Sequence, residues 1–156
     1  MKNLHVFNHV STAYVNCNMP SGTVVKELVY DLDMDVEQKV GELMKLNPEY
    51  CKNNLESLIT DHPNTYCFTK WLTEKMLVKR RGNLKMVISR PSIVCSSLRE
   101  PYRGWSDTLA AAGSLTTLVA AGLINYLPVK DPEIKFDIIP VDIVSNSILI
   151  TSAYAD

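Results

Sequence analysis

The sequence predicts an α/β fold built on a parallel sheet. Two short apolar runs, Leu4 to Val10 and Leu84 to Ser89, have the residue types of buried strands. Between them, Thr65 to Arg81 repeats apolar residues at helical spacing. Strand, long helix and second strand in that order are the signature of a βαβ unit, whose strands run parallel and whose crossover is right-handed.

The first strand runs straight into Ser11-Thr12-Ala13-Tyr14, as in the middle of an α/β unit. Asn16 to Thr23 contains Pro20, Ser21 and Gly22 and reads as loop. Asp35 to Leu46 places Val36, Val40, Leu43 and Met44 on one side of a helix, which Pro48 stops. Tyr50 to Ile59 reads as a further helix. Pro63 and Asn64 then set up the long helix, with Asn64 as its N-cap and Gly82 near its end. On that helix Tyr66, Lys70 and Thr73 or Glu74 share one side, while Phe68, Leu72, Met76 and Leu77 supply apolar surface. Lys79, Arg80 and Arg81 complement the dipole at its C-terminus. Arg90-Pro91 ends the second strand. Phe136 to Ile139 is a third strand, and Val141 to Tyr154 a last helix with Ile143, Val144, Ile148 and Leu149 on its apolar side.

Composition narrows the function. The chain has 156 residues, 46% hydrophobic and 21% charged, in keeping with one globular domain over residues 1–156. A net charge of -1 gives no bulk attraction to nucleic acid or to an anionic membrane. Cys17, Cys51, Cys67 and Cys95 form no C-x-x-C pair, and His5, His9 and His62 have no metal-binding spacing, so no metal is expected. Scattered single thiols suit an intracellular, reducing compartment. His5, Asn8 and His9 interrupt any signal-peptide core. Leu109 to Ile124, the most apolar stretch, is shorter than the ~20 residues that span a bilayer. It is expected to be buried or to line a pocket, and no transmembrane segment is expected. Trp71 and Trp105 read as core or pocket aromatics, Cys67 and Cys95 as small buried residues, and Asp142 as a cap or a contact to a neighbouring loop.

Tyr66 and Lys70 carry the chemistry. At i and i+4 they project from one helix face. A nearby ammonium favours the phenolate and lowers the tyrosine pKa, so the phenol can protonate a carbonyl oxygen as hydride arrives at carbon. The ammonium can also bind a cofactor ribose. Ser11 and Thr12 lie at the C-terminal end of the first strand, where ligands gather in open α/β sheets, and either hydroxyl can orient the carbonyl. Tyr-x-x-x-Lys alone is common on solvated helix faces, and only its context raises it above that.

The context extends along the chain. His9-Val10-Ser11-Thr12-Ala13-Tyr14 is followed in order by Glu27 to Tyr30, Pro63-Asn64-Thr65-Tyr66, Phe68-Thr69-Lys70 and Arg90-Pro91-Ser92-Ile93-Val94. Glu100-Pro101 with Gly104-Trp105, Asp137 to Asp142, and Asn146 complete the set. This ordered series resembles the fatty acyl-CoA reductases, extended short-chain dehydrogenases whose reductase domain is also called the male-sterility domain. The resemblance implies the C-terminal portion of a Rossmann-type domain with part of its substrate-binding cap. It implies NADPH-dependent reduction of a long-chain acyl-CoA to an aldehyde or primary alcohol. Thr12, with Ser11 as its rival, would hold the carbonyl oxygen, Tyr66 would protonate it, and Lys70 would bind the ribose. Pro91, Ser92 and Ile93 would lie beside the nicotinamide, and Arg99 to Ile124 would help form the acyl pocket. Peroxisomal or endoplasmic-reticulum association is implied by the resemblance alone.

Two departures accompany it. None of the six glycines forms the G-x-x-G-x-x-G turn that holds a pyrophosphate, so the glycine-loop half is expected to lie outside this sequence. Asp107 to Gly113 reads Asp-Thr-Leu-Ala-Ala-Ala-Gly, where the family tends to have Asn-x-x-Gly-Pro-x-Gly. With one neighbour absent, the first strand would expose an apolar edge and favour self-association. Two other readings stand beside the first. One is another extended short-chain dehydrogenase, such as a thioester reductase or sugar-nucleotide epimerase. The other is a non-catalytic fragment or interaction module that needs a partner chain.

Overall fold

Val6–Val10 and Lys85–Ser89, strands β1 and β2, pair in parallel, with Val6 opposite Lys85 and Val10 opposite Ser89. A computed structural model of the chain describes residues 4–30, 34–59, 61–108, 112–126, 128, 129, 131 and 133–155. They fall into two units that divide after Arg90.

In the first unit, β1 leads into a 3-10 turn at Ala13–Asn16, which the sequence pattern does not announce. Helix α1 spans Val36–Leu43, and Asp35 caps it by accepting the N–H groups of Glu37 and Gln38. The helix expected over Tyr50 to Ile59 is two short ones, α2 at Pro48–Asn53 and α3 at Leu55–Leu58. Asn54 leaves helical geometry between them at φ -120° and ψ 23°. Pro48 opens α2 at its first turn, where a missing N–H costs nothing, and Asn47 caps it.

Helix α4, Thr65–Arg80, lies between β1 and β2 in the chain and organises the unit. Its Phe68, Trp71 and Leu72 join Val15, Val36 and Ile59 in the core. The ring of His62 packs on Phe68 and Trp71, with centroids 5.5 and 4.9 Å away. At its C-terminus, Lys79 reaches Asp35 at 2.8 Å and Arg80 reaches Glu37 at 2.7 Å, so these cations tie α4 to the start of α1 as well as facing the helix dipole. Gly82 follows with φ +56°, a left-handed conformation that a side chain would strain.

Glu74 does not share the exposed side of Tyr66. It is 2% exposed, and its carboxylate accepts two hydrogen bonds from Arg90, from Nε at 2.9 Å and from an Nη at 2.6 Å. The same Arg90 donates to the Leu28 carbonyl at 3.0 Å, and Lys75 donates to the Tyr30 carbonyl. The segment around residues 28–30 is thus held to α4 and to the end of β2 by two cations.

In the second unit, β3 at Ile93–Cys95 pairs in parallel with β4 at Ile138–Pro140. The third strand expected near Phe136 therefore pairs with a strand that the sequence reading did not contain. Helix α5, Ala112–Ala120, lies against β3, and α6, Val141–Ala155, follows β4 directly. The burial expected for Leu109 to Ile124 is not found where it is described: Leu118, Val119 and Leu123 are exposed. Residues 109–111 lie outside the described residues. On α6, Ile143 and Leu149 are likewise exposed. Among the described residues, no helix is long and apolar enough to cross a membrane.

Side-chain hydrogen bonds define the loop before α5. The Asp142 carboxylate accepts the successive backbone N–H groups of Leu98, Arg99 and Glu100 at 2.9, 2.9 and 3.2 Å. Ser97 closes the loop on itself, donating to the Tyr102 carbonyl at 2.6 Å and accepting the Trp105 N–H at 3.2 Å. These bonds, that of Leu98 foremost, hold the Asp142 carboxyl down to about 2 against the opposing effect of burial.

Two outcomes are expected. Arg90→Met leaves the Glu74 carboxylate buried without its counter-ion and should cost about 3–5 kcal/mol in urea unfolding, with the double Glu74→Met, Arg90→Met variant recovering most of it. A loss below about 1 kcal/mol would contradict the buried pair. Because the folded Asp142 carboxyl lies below its ordinary 3.8, its contribution to stability is complete above about pH 4 and is lost as pH falls towards 2. The amide resonances of Leu98, Arg99 and Glu100 should titrate with a midpoint near 2, and a midpoint near 4 would show that the bonds do not persist.

Candidate active site

The site is built where α4 begins and β1 ends. Asn64, extended at φ -162°, caps α4 by accepting the Cys67 N–H at 2.9 Å, as its place after Pro63 predicts. This fixes the first turn and places Tyr66 on the outer side, 54% exposed. Lys70 follows one turn later, with Nζ 5.9 Å from the centroid of the Tyr66 ring. Its ammonium donates to the Val10 carbonyl at 2.9 Å. Lys70 is therefore held between the last residue of β1 and the face of the tyrosine.

Ser11 and Thr12 follow Val10. The Ser11 N–H donates to the Ser89 carbonyl at 2.7 Å, which carries the β1–β2 ladder one step further. Thr12 caps the 3-10 turn, and its Oγ1 accepts the Tyr14 N–H at 3.3 Å. Both residues are 3% exposed, but their hydroxyls differ. Thr12 Oγ1 spends a lone pair on the cap and keeps its proton to donate. Ser11 Oγ has no hydrogen-bond partner among the described residues. A buried hydroxyl left unpaired costs about 1–3 kcal/mol, and orphaned groups of this kind concentrate where a ligand or water completes the set.

A second orphan lies on the same strand. His9 stands two residues before Ser11, so the strand's alternation puts both on one face. Its Nε2 is buried and has no partner among the described residues. Burial foremost, and then the positive charge of Lys70, hold the imidazole below its ordinary pKa, opposed by the Glu74 carboxylate. A neutral ring beside Lys70 adds no second positive charge to the site. Sequence reasoning gave His9 no role. The signal that was available was its two-residue spacing from Ser11.

Lys70 and Glu74 are also one turn apart, so α4 sends Tyr66, Lys70 and Glu74 along successive turns to three different environments. Tyr66 meets solvent, Lys70 the end of β1, and Glu74 the arginine after β2. Glu27, Leu28, Val29, Ile88 and Arg90 line a cleft of about 490 Å³ at the carboxyl end of β2. In parallel α/β sheets that edge is where ligands bind. Pro91, Ser92 and Ile93 are half-buried at the start of the second unit, where the Ile93 N–H donates to the Asp137 carbonyl at 3.2 Å. In that unit Glu100, Pro101, Trp105, Val141, Asp142, Ser145 and Asn146 line a smaller hollow of about 320 Å³, which accounts for the half-buried Trp105.

An NAD-binding family model described as male sterility protein matches residues 1–148. Fatty acyl-CoA reductase 1 of Xenopus laevis is 35% identical over 155 residues, which are 99% of this chain and 29% of that protein. Fatty acyl-CoA reductase 1 of Homo sapiens is 34% identical over the same shares. Fatty acyl-CoA reductase 2 of Mus musculus is 34% identical over 94% of this chain and 28% of its own length. The chain thus spans under a third of the length of these curated relatives.

The arrangement around Lys70 has a direct spectroscopic consequence. In an NMR titration, the His9 midpoint should fall below the ordinary 6.5, and Lys70→Met should raise it by removing a nearby positive charge. A midpoint indifferent to Lys70 would separate the two side chains.

Proposed function

The chain belongs to the male sterility protein family, and from that premise we propose that it is the catalytic part of a fatty acyl-CoA reductase, with NADPH as cofactor and both units as parts of one reductase domain. The observation that carries this reading is the Lys70 ammonium seated on the Val10 carbonyl, under the ring of an exposed Tyr66 and one residue before Ser11 and Thr12. A structural lysine at this place would need neither an exposed phenol one turn away nor two buried hydroxyls at the end of the strand.

The residues present fit a nicotinamide nucleotide. Lys70 commits one donor to Val10, and an ammonium has two more, suited to the two hydroxyls of a ribose. Ser11 Oγ and His9 Nε2 are buried atoms with no hydrogen-bond partner among the described residues, and a bound ligand would complete them. When bound, the cofactor supplies the hydride. Thr12, with Ser11 as the alternative, holds the thioester carbonyl oxygen through its hydroxyl proton. Tyr66 gives its phenolic proton to that oxygen as negative charge develops on it. The resulting hemithioacetal expels the CoA thiol and leaves an aldehyde, and the same groups serve a second reduction to the primary alcohol. Lys70 favours the proton transfer by placing positive charge beside the phenol. The family resemblance also assigns cofactor contacts to Pro91, Ser92 and Ile93.

The test is oxidation of NADPH with palmitoyl-CoA as acceptor. Tyr66→Phe removes one hydroxyl from an exposed ring and should lower turnover by about 100-fold or more while leaving the fold intact. Turnover equal to that of the unchanged chain would remove Tyr66 from the mechanism.

A further inference from the structure

The cleft of about 490 Å³ at the carboxyl end of β2 has no role in the reaction proposed above. Its size falls within the roughly 300–1,000 Å³ usual for small-molecule sites. Its walls are Glu27, Leu28, Val29, Ile88 and Arg90. The loop that supplies three of them is held in place before any ligand arrives. The Lys26 N–H donates to the Tyr30 hydroxyl at 2.7 Å, and the Leu28 N–H donates to the Lys26 carbonyl at 2.8 Å. Lys75 and Arg90 tie the Tyr30 and Leu28 carbonyls to α4 and to the end of β2. A preformed wall spares a ligand the cost of ordering it.

The donors of Arg90 decide what the cleft can hold. A guanidinium has five N–H donors. Nε gives its one to Glu74, and one Nη gives its two to Glu74 and to the Leu28 carbonyl. The two donors on the other Nη meet no acceptor among the described residues. The Arg90 side chain is 18% exposed, so these donors are largely shielded from water and a ligand acceptor gains by meeting them. Charge disfavours an anion in that place. The Glu74 carboxylate already matches Arg90, and Glu27 brings a second carboxylate to the cleft. A neutral carbonyl suits the free donors instead. Glu27 offers an acceptor for an N–H, and Leu28, Val29 and Ile88 offer aliphatic surface. A carbonyl, an N–H and aliphatic carbon together describe a secondary amide on a saturated chain.

We propose that this cleft binds the pantetheine arm of the acyl-CoA, with an arm carbonyl on the free Arg90 Nη and an arm N–H on Glu27. The assignment rests on the reductase reading and places a part of the substrate which that reading leaves unplaced. The arm is uncharged, joins the thioester to the phosphates, and carries two secondary amides. Strand register puts it within reach. Val10 is opposite Ser89, so the next residues, Ser11 and Arg90, end neighbouring strands side by side. A thioester carbonyl held at Thr12 or Ser11 leaves the first amide nitrogen two methylenes beyond the sulfur, a span comparable with the ~4.8 Å between neighbouring strands. One edge of Arg90 thus closes the buried ion pair while its free Nη holds substrate.

The experiment is a titration of the whole chain with free pantetheine, followed by NMR at the Val29 and Ile88 methyls and the Arg90 Nε–H, with inorganic phosphate titrated in parallel. Saturable shifts at these three groups are expected, with half-saturation below about 10 mM, and none from phosphate. Leu28→Trp, at a side chain 43% exposed, fills the cleft from its rim and keeps the backbone carbonyl that Arg90 holds. It should weaken pantetheine by about tenfold or more. Glu27→Lys, at an exposed position, should weaken pantetheine by about tenfold and bring in a phosphate response. In the unmodified chain, shifts confined to other residues, no shift at ten times the expected concentration, or a stronger response to phosphate would each overturn the proposal, whatever the variants do. NADPH oxidation with palmitoyl-CoA, measured beside it, separates the two readings. Pantetheine shifts at the cleft without oxidation support the amide site and count against the reductase reading, whereas oxidation without those shifts overturns the cleft alone.

Discussion

The buried Glu74 carboxylate constrains the first unit more than any other group. A charge that is 2% exposed cannot stand alone, and it is matched by the two-point bond from Arg90. Glu74 lies on α4 and Arg90 one residue past β2, so the pair fixes how far along the strand the helix sits. One turn back on α4, Lys70 reaches the Val10 carbonyl at the end of β1. The helix is thus registered against both strands at their carboxyl ends, and Tyr66, another turn back, is carried to the same edge. Arg90 also holds the Leu28 carbonyl, so one guanidinium sets the helix and a wall of the neighbouring cleft. Exchanging this pair for apolar groups would keep the packing, but the register would then rest on Lys70 alone.

Much of this was legible in the sequence because it is local. β1, β2 and α4 follow from apolar runs and helical spacing, and the start of α4 follows from Pro63 and Asn64. The shared face of Tyr66 and Lys70 follows from four-residue spacing, and the flanking motifs single the pair out. Local pattern failed where a single residue changes the backbone. Pro48 reads as a stop for α1 and is also the first residue of α2, because the feature that breaks a helix interior suits a helix start. Asn54 divides one expected helix in two. β3 is three residues long and begins two positions after Pro91, too short for alternation to show.

What the sequence withheld is long-range. Lys70 and Val10 are 60 residues apart, and spacing along α4 does not say which carbonyl the ammonium will find. Spacing puts Thr73 or Glu74 on the tyrosine side of α4, whereas the structure turns Glu74 inward, because a buried carboxylate is tolerated once an arginine 16 residues later reaches it. The orphaned Ser11 hydroxyl and His9 imidazole are visible only when the strand face is covered. Family membership, by contrast, is carried by the ordered motifs themselves, from His9-Val10-Ser11-Thr12-Ala13-Tyr14 to Asn146, and the match over residues 1–148 agrees with it.

The central claim is that the place where Lys70 meets the end of β1 is a nicotinamide nucleotide site, and the most direct measurement is a fluorescence titration of the chain with NADPH, repeated with Lys70→Met. The account predicts saturable binding that Lys70→Met weakens by about tenfold or more, the loss expected for a charge-assisted hydrogen bond. Binding unchanged by Lys70→Met, or none at millimolar cofactor, would contradict it and leave Lys70 as a structural tie between α4 and β1.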